Sequence, residues 1–397
     1  MQLARWAILP IMCLSFLIGC GGGPACNGQM TSSGGGFHSF VCGPGGGGTG
    51  GPTIATVYVY TTDSSNTVHA AALTDGTTFA ELTSLTLPTV AMQTYDMLVV
   101  SKKFLYISGI SGANGEVFAY AIDSSTGALT PIAGNPVLTS TQAGFSMATD
   151  SQGRFLFVGD ANGEVAAFTI NATSGALTAV PNSPFLLDAA TGLGVSWSLT
   201  VDNTGHFLYV GQGSGARSAG VFSVFGFNID QTSGALSPIS GEPFALGIGL
   251  IQSDSAAPYV LGTSDTIGDN HIYSVTVGST GTLAPIVGAT TLNAPHQIFV
   301  HPTGKFVYAL EDGQFGGNTV EAFAIDSNGN PTLITGSPFT KTDSMTSCKI
   351  DQNGNWAFCP TSVSKVAVFG INTTTGALTS TITSLAIGDG TTIAVTD

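Results

Sequence analysis

Residues 145–185, FSMATDSQGRFLFVGDANGEVAAFTINATSGALTAVPNSPF, carry the pattern that decides the fold. A first apolar segment ends at Asp150, and a Ser-Gln-Gly turn leads into a second segment over residues 155–158. A third segment covers residues 165–170, and the turn after it leads into an edge segment near Leu177. Short apolar segments separated by glycine turns predict one four-stranded antiparallel sheet.

The second strand of this unit recurs elsewhere as FLYV at residues 207–210 and FVYA at residues 306–309. These strands are apolar at every position instead of alternating between apolar and polar residues. Such a pattern predicts a sheet whose two faces are both covered by neighbouring sheets.

A turn phrase of the form Ser/Thr-Gly-Ala-Leu, with two weaker copies, repeats along the chain. Its glycines are Gly76, Gly127, Gly175, Gly234, Gly281, Gly329 and Gly376, at intervals of 47 to 59 residues. A four-stranded propeller blade takes about 40 to 50 residues. The predicted fold class is therefore all-β, a seven-bladed β-propeller of four-stranded antiparallel blades.

The two ends of the repeat region complement each other. Residues 392–397, TIAVTD, match a first strand with nothing after it, whereas residues 57–60 begin as a second strand with no first strand before it. We therefore expect the C-terminal strand to join the N-terminal blade and close the ring, which removes open sheet edges.

Composition excludes several classes of protein. Lys and Arg number 9 against 24 Asp and Glu, for a net charge of −15, and 43% of the residues are hydrophobic. This apolar content is too high for a disordered chain. A nucleic-acid partner is excluded because its phosphates require clustered cations.

The N-terminus resembles a bacterial lipoprotein signal. Arg5 precedes an apolar run over residues 7–18, which ends in small residues before Cys20. We predict a signal peptide over residues 1–19 and a lipid anchor on Cys20 in the bacterial cell envelope. Gly21 favours the outer membrane or the cell surface. The alternative is a plain transmembrane helix, but the apolar run is shorter than the roughly 20 residues that span a bilayer.

Residues 20–52 form the second predicted region, a lipidated glycine-rich tether, and the propeller occupies residues 53–397. Residues 21–52 include 14 glycines and show no hydrophobic periodicity, which is typical of a flexible linker. Cys26 and Cys42 lie in the tether. In an oxidising compartment they either pair as a disulfide or remain separate.

Residues 53–397 resemble the seven-bladed lactonase propellers, the family named for 6-phosphogluconolactonase. The segment FVHPTGKFVY at residues 299–308 and the repeated Ser-Gly-Ala-Leu-Thr turns carry the resemblance. It implies a site in the central channel, with an Arg-His pair before a first strand and an acid in a later loop. Here the histidine is His296, Ala294 or Pro295 stands where the arginine is expected, and Glu311 or Asp312 supplies the acid.

Opening a lactone requires a base that activates water and donors that stabilise the oxyanion. His296 and Glu311 are the predicted base and orienting carboxylate, and Arg217 is the only arginine expected on the His296 face. The alternative for His296 is a hydrogen-bonded structural role. Because cations are few and the chain is acidic, we expect any lactone substrate to be uncharged.

The remaining candidates are weaker. Asp265 and Asp269 lie in one loop and are candidate binding residues, since their carboxylates can reach a calcium ion. The loop lacks the complete set of oxygen ligands that calcium requires. We therefore predict no metal and no cofactor. Cys348 and Cys359 flank Asn353-Gly354, and a turn centred there places them opposite each other within disulfide reach. A longer turn that shifts the register would separate them.

Two classes of function remain. The first is an envelope lipoprotein that binds a small molecule or a protein partner, with the loops around residues 211–220, 263–270 and 311–318 forming the recognition face. The second is a lactone hydrolase that uses His296 and Glu311. We favour the first and expect a monomer. A structural surface array would instead self-associate through its blade edges.

Overall fold

The computed structural model describes residues 56–88, 92–112, 114–140, 144–187, 195–213, 223–263, 270–291, 295–311, 317–387 and 392–396. The described residues form β-strands joined by turns. Among them, no helical segment has the length and hydropathy needed to span a bilayer. The predicted tether and signal peptide lie outside this part of the chain.

The first four blades each follow the chain order of their strands. Blade 1 contains β1 (Val57–Thr62), β2 (Thr67–Thr74), β3 (Thr78–Glu81) and β4 (Leu85–Thr86). Blade 2 contains β5 (Met92–Val100), β6 (Phe104–Ser111), β7 (Asn114–Ile122), β8 (Leu129–Pro131) and β9 (Val137–Ser140). Blade 3 contains β10 (Gly144–Thr149), β11 (Phe155–Asp160), β12 (Glu164–Ile170), β13 (Leu177–Ala179) and β14 (Phe185–Leu186). Blade 4 contains β15 (Val195–Val201), β16 (Phe207–Gly213), β17 (Ser223–Ile229) and β18 (Leu236–Pro238).

The last three blades repeat this order. Blade 5 contains β19 (Leu250–Ser253), β20 (Tyr259–Thr263), β21 (His271–Val277) and β22 (Leu283–Thr290). Blade 6 contains β23 (Pro295–Val300), β24 (Phe306–Glu311), β25 (Thr319–Ile325), β26 (Pro331–Leu333) and β27 (Phe339–Thr340). Blade 7 contains β28 (Lys349–Ile350), β29 (Trp356–Pro360), β30 (Lys365–Ile371) and β31 (Leu378–Ala386). The final strand is β32 (Ile393–Val395).

Strand β32 closes the ring, which confirms the prediction from the chain ends. It pairs antiparallel with β1, with Val395 opposite Val59 and Ile393 opposite Thr61. Beyond this ladder, the Tyr58 N–H donates to Thr396 Oγ1 at 2.7 Å, and the Thr396 N–H donates to the Tyr58 carbonyl at 2.9 Å. The N-terminal blade therefore obtains its inner strand from the other end of the chain, and the seven-bladed all-β architecture is confirmed.

The second strands also bind each blade to the next. In four blades a buried tyrosine hydroxyl donates to the carbonyl of the repeat glycine in the following blade, at 2.7 to 3.0 Å. These donors are Tyr60, Tyr106, Tyr209 and Tyr308. Burial raises the pKa of each hydroxyl, so it stays protonated and keeps donating.

The repeat glycine also leaves room for an aromatic ring. Gly175 has a φ of +71°, and a Cβ added there would lie 2.5 Å from the Phe104 ring and 2.6 Å from Ile132. The same position in other blades faces Phe155, Phe207 or Phe306. Glycine is therefore required twice over, by its left-handed backbone and by the ring packed against it.

We predict that Gly175→Ala lowers the free energy of unfolding by about 1–3 kcal/mol more than Gly247→Ala, because overpacking adds to backbone strain. Gly247 is the matched control, since its φ is also +71° but nothing lies within 4 Å of an added Cβ. Urea unfolding of the two variants measures the difference. Equal destabilisation would show that ring packing against the glycine contributes nothing.

His301 caps the turn between the first two strands of blade 6. It is fully buried, and its Nε2–H donates to the Gly354 carbonyl of the next blade at 2.9 Å. Its Nδ1 accepts from the Thr303 hydroxyl at 2.7 Å and from the Thr303 N–H at 3.2 Å. Burial, together with the nearby charge of Lys305, lowers the pKa of His301, so the ring is neutral in the folded protein.

This lowered pKa predicts a stability loss in acid. Below its ordinary pKa of about 6.5, the unfolded histidine binds a proton that the folded one does not, so stability falls as pH falls. The slope is at most about 1.4 kcal/mol per pH unit. We expect wild type to lose more unfolding free energy between pH 7 and pH 5 than His301→Asn, which keeps a capping side chain but does not titrate. Parallel pH dependences for the two proteins would contradict a neutral, buried His301.

Candidate functional site

The first strands of the blades surround a central channel with a volume of about 500 Å³. Residues from β5, β10, β15, β19, β23 and β32 line it, together with Ser347 and Lys349 of blade 7. A volume in this range accommodates a small organic molecule. The predicted location of the site, the axis of the propeller, is therefore a partly open cavity with a mixed polar and apolar wall.

Much of the polar wall is used to join neighbouring blades. Ser146 Oγ accepts the Leu199 N–H at 3.1 Å. Ser198 Oγ accepts the Ile251 N–H at 3.0 Å, and its own hydroxyl donates to the Gly249 carbonyl at 2.7 Å. The wall serines therefore satisfy main-chain groups that would otherwise be left unpaired between adjacent inner strands.

Gln297 makes the same kind of bridge with both ends of its amide. Its Oε1 accepts the Cys348 N–H at 2.6 Å and its Nε2 donates to the Cys348 carbonyl at 3.2 Å. A strand irregularity precedes it, as one also precedes Asp96, Ser146 and Ser198. These bulges aim equivalent side chains at the next inner strand.

Asp96 and Lys349 introduce opposite charges into the channel. Asp96 Oδ2 accepts the Met147 N–H and Oδ1 accepts the Met97 N–H, each at 2.8 Å. Burial raises the pKa of Asp96, while the Lys349 ammonium and the two N–H donors act in the opposite direction. Lys349 is the only lysine or arginine among the described lining residues.

His296 also lines the channel. Its Nε2 lies 2.9 Å from the Thr346 carbonyl, so this nitrogen carries the hydrogen and donates. The other nitrogen, Nδ1, is buried and has no hydrogen-bond partner among the described residues. No described residue therefore uses the Nδ1 lone pair, which is buried beside the channel.

The Glu311 carboxylate is hydrogen-bonded within its own blade. Its Oε2 accepts a hydrogen bond from the Thr319 hydroxyl on the third strand of the same blade, and Glu311 is not among the described lining residues of the channel. Its carboxylate is buried. Among the hydrogen bonds between described residues, none joins Glu311 to His296. The pairing of a base with an orienting carboxylate therefore remains a prediction.

Several of the residues predicted to form a site, an anchor or a disulfide fall outside the part of the chain that the structure describes. Arg217, Asp265, Asp269 and Asp312 lie outside the described residues, as do Cys20, Cys26 and Cys42. Within the described ranges, no group of three or more His, Cys, Asp or Glu side chains has a metal-binding arrangement.

Cys348 and Cys359 form a disulfide with a Cα–Cα distance of 4.2 Å. The ladder beside them pairs Lys349 with Phe358 and Ile350 with Ala357. The turn is longer than two residues, but it keeps the register that places the cysteines opposite each other. Both cysteines are fully buried, so the bond fixes the backbone next to the channel lysine.

The sequence analysis missed Asp96 and Lys349. Each is a charged residue within a first strand, in YDMLVV at residues 95–100 and in SCKI at residues 347–350. A charge inside an otherwise apolar inner strand was the available signal, since lysine and aspartate are rarely buried without a partner.

A family model described as "Lactonase, 7-bladed beta-propeller" matches residues 55–183 and 258–361, more than half of the chain. No curated protein matches the sequence significantly.

Solved structures with the same fold are numerous. A putative 6-phosphogluconolactonase from Bacteroides fragilis is 17% identical, with a TM-score of 0.67 over 87% of this chain and 99% of that chain. A second putative 6-phosphogluconolactonase, from Bacteroides uniformis, is 16% identical, with a TM-score of 0.68 over 86% and 99%. The periplasmic gluconolactonase PpgL of Pseudomonas aeruginosa is 15% identical, with a TM-score of 0.66 over 86% and 99%. At these identities the likeness concerns the fold.

Proposed function

The chain belongs to the seven-bladed β-propeller lactonase family, and we propose that it is an envelope lipoprotein whose central channel binds a small uncharged lactone or a related sugar derivative. The channel supports this proposal, because its volume of about 500 Å³ suits such a ligand. Its wall combines polar and apolar side chains, which suits a ligand with both hydroxyl groups and an apolar ring face.

The charge distribution in the channel favours an uncharged ligand. Lys349 is the only lysine or arginine in the described lining, and Asp96 shares the cavity with it. A phosphate dianion calls for several unopposed donors and cations, and a carboxylate nearby repels it. This balance supports a neutral lactone over a sugar phosphate.

Ring opening is the second candidate function, and His296 Nδ1 is the observation that favours it. The His296 side chain lines the channel and its buried Nδ1 has no partner among the described residues, and a neutral imidazole nitrogen that a local shift exposes to water can take a proton from it. The names of two similar structures, a putative 6-phosphogluconolactonase and a gluconolactonase, point to the same reaction class.

The lipid anchor on Cys20 and the envelope location belong to the same proposal. Their support is the sequence alone, an apolar run that ends at Gly19-Cys20 and a glycine-rich segment up to Pro52. An anchored propeller on such a tether meets ligands at the membrane surface.

Binding is tested with D-glucono-1,5-lactam, an unreactive neutral analogue, titrated calorimetrically into the purified full chain in detergent. We expect saturable binding that Leu250→Trp weakens at least tenfold, about 1.4 kcal/mol, because Leu250 lines the channel. Leu138→Trp is the matched control, since Leu138 is 62% exposed on the outside of blade 2.

A 6-phosphorylated analogue gives the charge test, and we expect it to bind no more tightly than the neutral lactam. Absence of lactam binding to wild type, or equal binding to both tryptophan variants, would contradict a channel site. Much tighter binding of the phosphorylated analogue would contradict the proposed ligand class.

A further inference from the structure

We propose that the outer part of blade 1 carries a second catalytic site, in which Ser84 is the nucleophile, His69 its general base and Asp63 the residue that orients the base. The substrate class is a short-chain carboxylic ester. None of the three residues is among the described lining residues of the central channel. The site is therefore separate from the channel, and the inference does not depend on the proposed function.

A continuous chain of hydrogen bonds joins the three side chains. His69 Nε2 lies 2.9 Å from Asp63 Oδ2, and Ser84 Oγ lies 3.3 Å from His69 Nδ1. An ionised carboxylate only accepts, so Nε2 carries the hydrogen, and in the neutral ring Nδ1 accepts the hydrogen of the Ser84 hydroxyl. Nucleophile, base and orienting carboxylate are thus connected in the order that activates a serine.

The Asp63 carboxylate is held in place through its other oxygen. Oδ1 accepts the Ser65 N–H at 2.9 Å, the Ser65 hydroxyl at 2.7 Å and the Thr67 N–H at 2.9 Å. Partial burial acts to raise the pKa of Asp63, but these hydrogen bonds and the one from His69 lower it below its ordinary value. The carboxylate is therefore ionised, and Oδ2 presents a fixed negative charge to the imidazole.

The turn that Asp63 caps does not require the contact with His69. Blade 3 has Asp160 at the equivalent position, and its Oδ1 accepts the N–H groups of Asn162 and Glu164, each at 2.9 Å. The strand register places Ala166 there where blade 1 has His69. One carboxylate oxygen is therefore enough for the turn, and the imidazole on the second oxygen is an addition in blade 1.

Ser84 is also an exception within the repeat. It precedes Leu85, which pairs with Val68 of β2. In four other blades the same pairing defines an equivalent position, and it is always a proline. These residues are Pro136, Pro184, Pro243 and Pro338.

The residues at the His69 position in those four blades are Phe118, Ala166, Phe225 and Glu321. Among these five blades, blade 1 alone therefore combines a hydroxyl with an imidazole. Packing within the repeat does not need this pair, since the other four blades are built without it. The pair is instead the arrangement that serine-based acyl transfer requires.

Ser84 is open to a substrate, and its main chain offers a donor. The residue is exposed, and the His69 side chain is 16% exposed, so both are accessible from solvent. The N–H groups of Thr83 and Ser84 have no hydrogen-bond partner among the described residues. Main-chain N–H groups beside a nucleophile stabilise an oxyanion. An exposed serine holds an acyl group by few contacts, which favours short-chain esters.

Glu81 places a second carboxylate beside the histidine. Its Oε1 lies 3.6 Å from His69 Nδ1, which is too long for a hydrogen bond. The distance is short enough for attraction to the imidazolium that forms when His69 takes the serine proton. Asp63 and Glu81 are the charged side chains within 4 Å of this ring among the described residues, and both favour the proton transfer.

The reaction balances with water as the only co-reactant. Ser84 Oγ bonds to the ester carbonyl carbon while its proton moves to His69 Nδ1, and the resulting oxyanion reforms the carbonyl as the ester C–O bond breaks. The departing alkoxide takes the proton from His69. Water then bonds to the acyl carbon and gives a proton to Nδ1. Ser84 Oγ leaves with that proton, which yields a carboxylic acid and restores the enzyme.

Labelling with diisopropyl fluorophosphate tests the nucleophile directly. The full chain in detergent is treated with the reagent, and its peptides are analysed by mass spectrometry. We expect the label on Ser84 of the wild type, and at least tenfold less in His69→Ala, which keeps the serine but removes its base. Ser125 is the internal control, because it is exposed and its hydroxyl donates to Asp123 Oδ1 at 2.6 Å, with no histidine involved.

Hydrolysis of p-nitrophenyl acetate measures turnover. We expect Ser84→Ala, His69→Ala and His69→Gln each to lower kcat/KM about 10²- to 10⁴-fold, whereas Ser125→Ala keeps the wild-type value. His69→Gln retains a hydrogen-bonding side chain, so its loss of activity separates a catalytic base from a structural contact. Thermal unfolding identifies any variant that does not fold.

Asp63 is a positioning residue, so its test is a pH profile. Asp63→Asn keeps an oxygen that caps the turn but removes the charge beside the imidazole. We expect it to lower kcat more than it changes KM, and to move the pH of half-maximal activity downwards, because the imidazolium loses its stabilising carboxylate. A merely structural role would lower kcat without moving the profile.

Each result decides the inference. Folded wild-type protein that is not labelled on Ser84, or labelling that His69→Ala leaves unchanged, overturns it. Turnover that persists in Ser84→Ala also overturns it, and an unmoved pH profile in Asp63→Asn overturns the role of Asp63. Lactam binding in the channel should be the same in wild type and Ser84→Ala, so a failure of the proposed function is seen separately.

Discussion

The contact between one blade's second strand and the next blade's repeat glycine is the constraint on which the rest of the structure depends. At Gly175 the Phe104 ring occupies the space of a side chain, and the Tyr106 hydroxyl bonds to the same glycine's carbonyl. One small residue thus receives packing and a hydrogen bond from the preceding blade. Because similar contacts recur around the ring, they set the angle between blades, and that angle sets the width of the channel.

The channel follows from that geometry and from the need to pair main-chain groups. The side chains of Ser146, Ser198 and Gln297 accept hydrogen bonds from main-chain N–H groups of adjacent inner strands. These residues therefore stabilise the scaffold. Asp96, Lys349 and His296 differ from this background, the first two by their charge and the third by a lone pair that no described residue uses.

The sequence was sufficient for the fold because each blade carries its own local signals. The glycine turns give the blade number, and the unmatched strands at the two ends give the closure of β32 onto β1, which the ladder confirms. The register of Cys348 and Cys359 was also accessible, since it depends on a single hairpin. The channel lining was not accessible in this way, because its residues come from strands of different blades. Lys349 and Asp96 are 253 positions apart in sequence, and no local pattern relates them. Glu311 ends β24, the strand after the one that carries His296, and its hydrogen bond to Thr319 lies within the same blade.

A crystal structure of the full chain with D-glucono-1,5-lactam tests the central claim most directly. The account predicts the lactam in the central channel, in contact with Leu250 and with other residues of the first strands that line it. A lactam bound outside the channel would contradict the account.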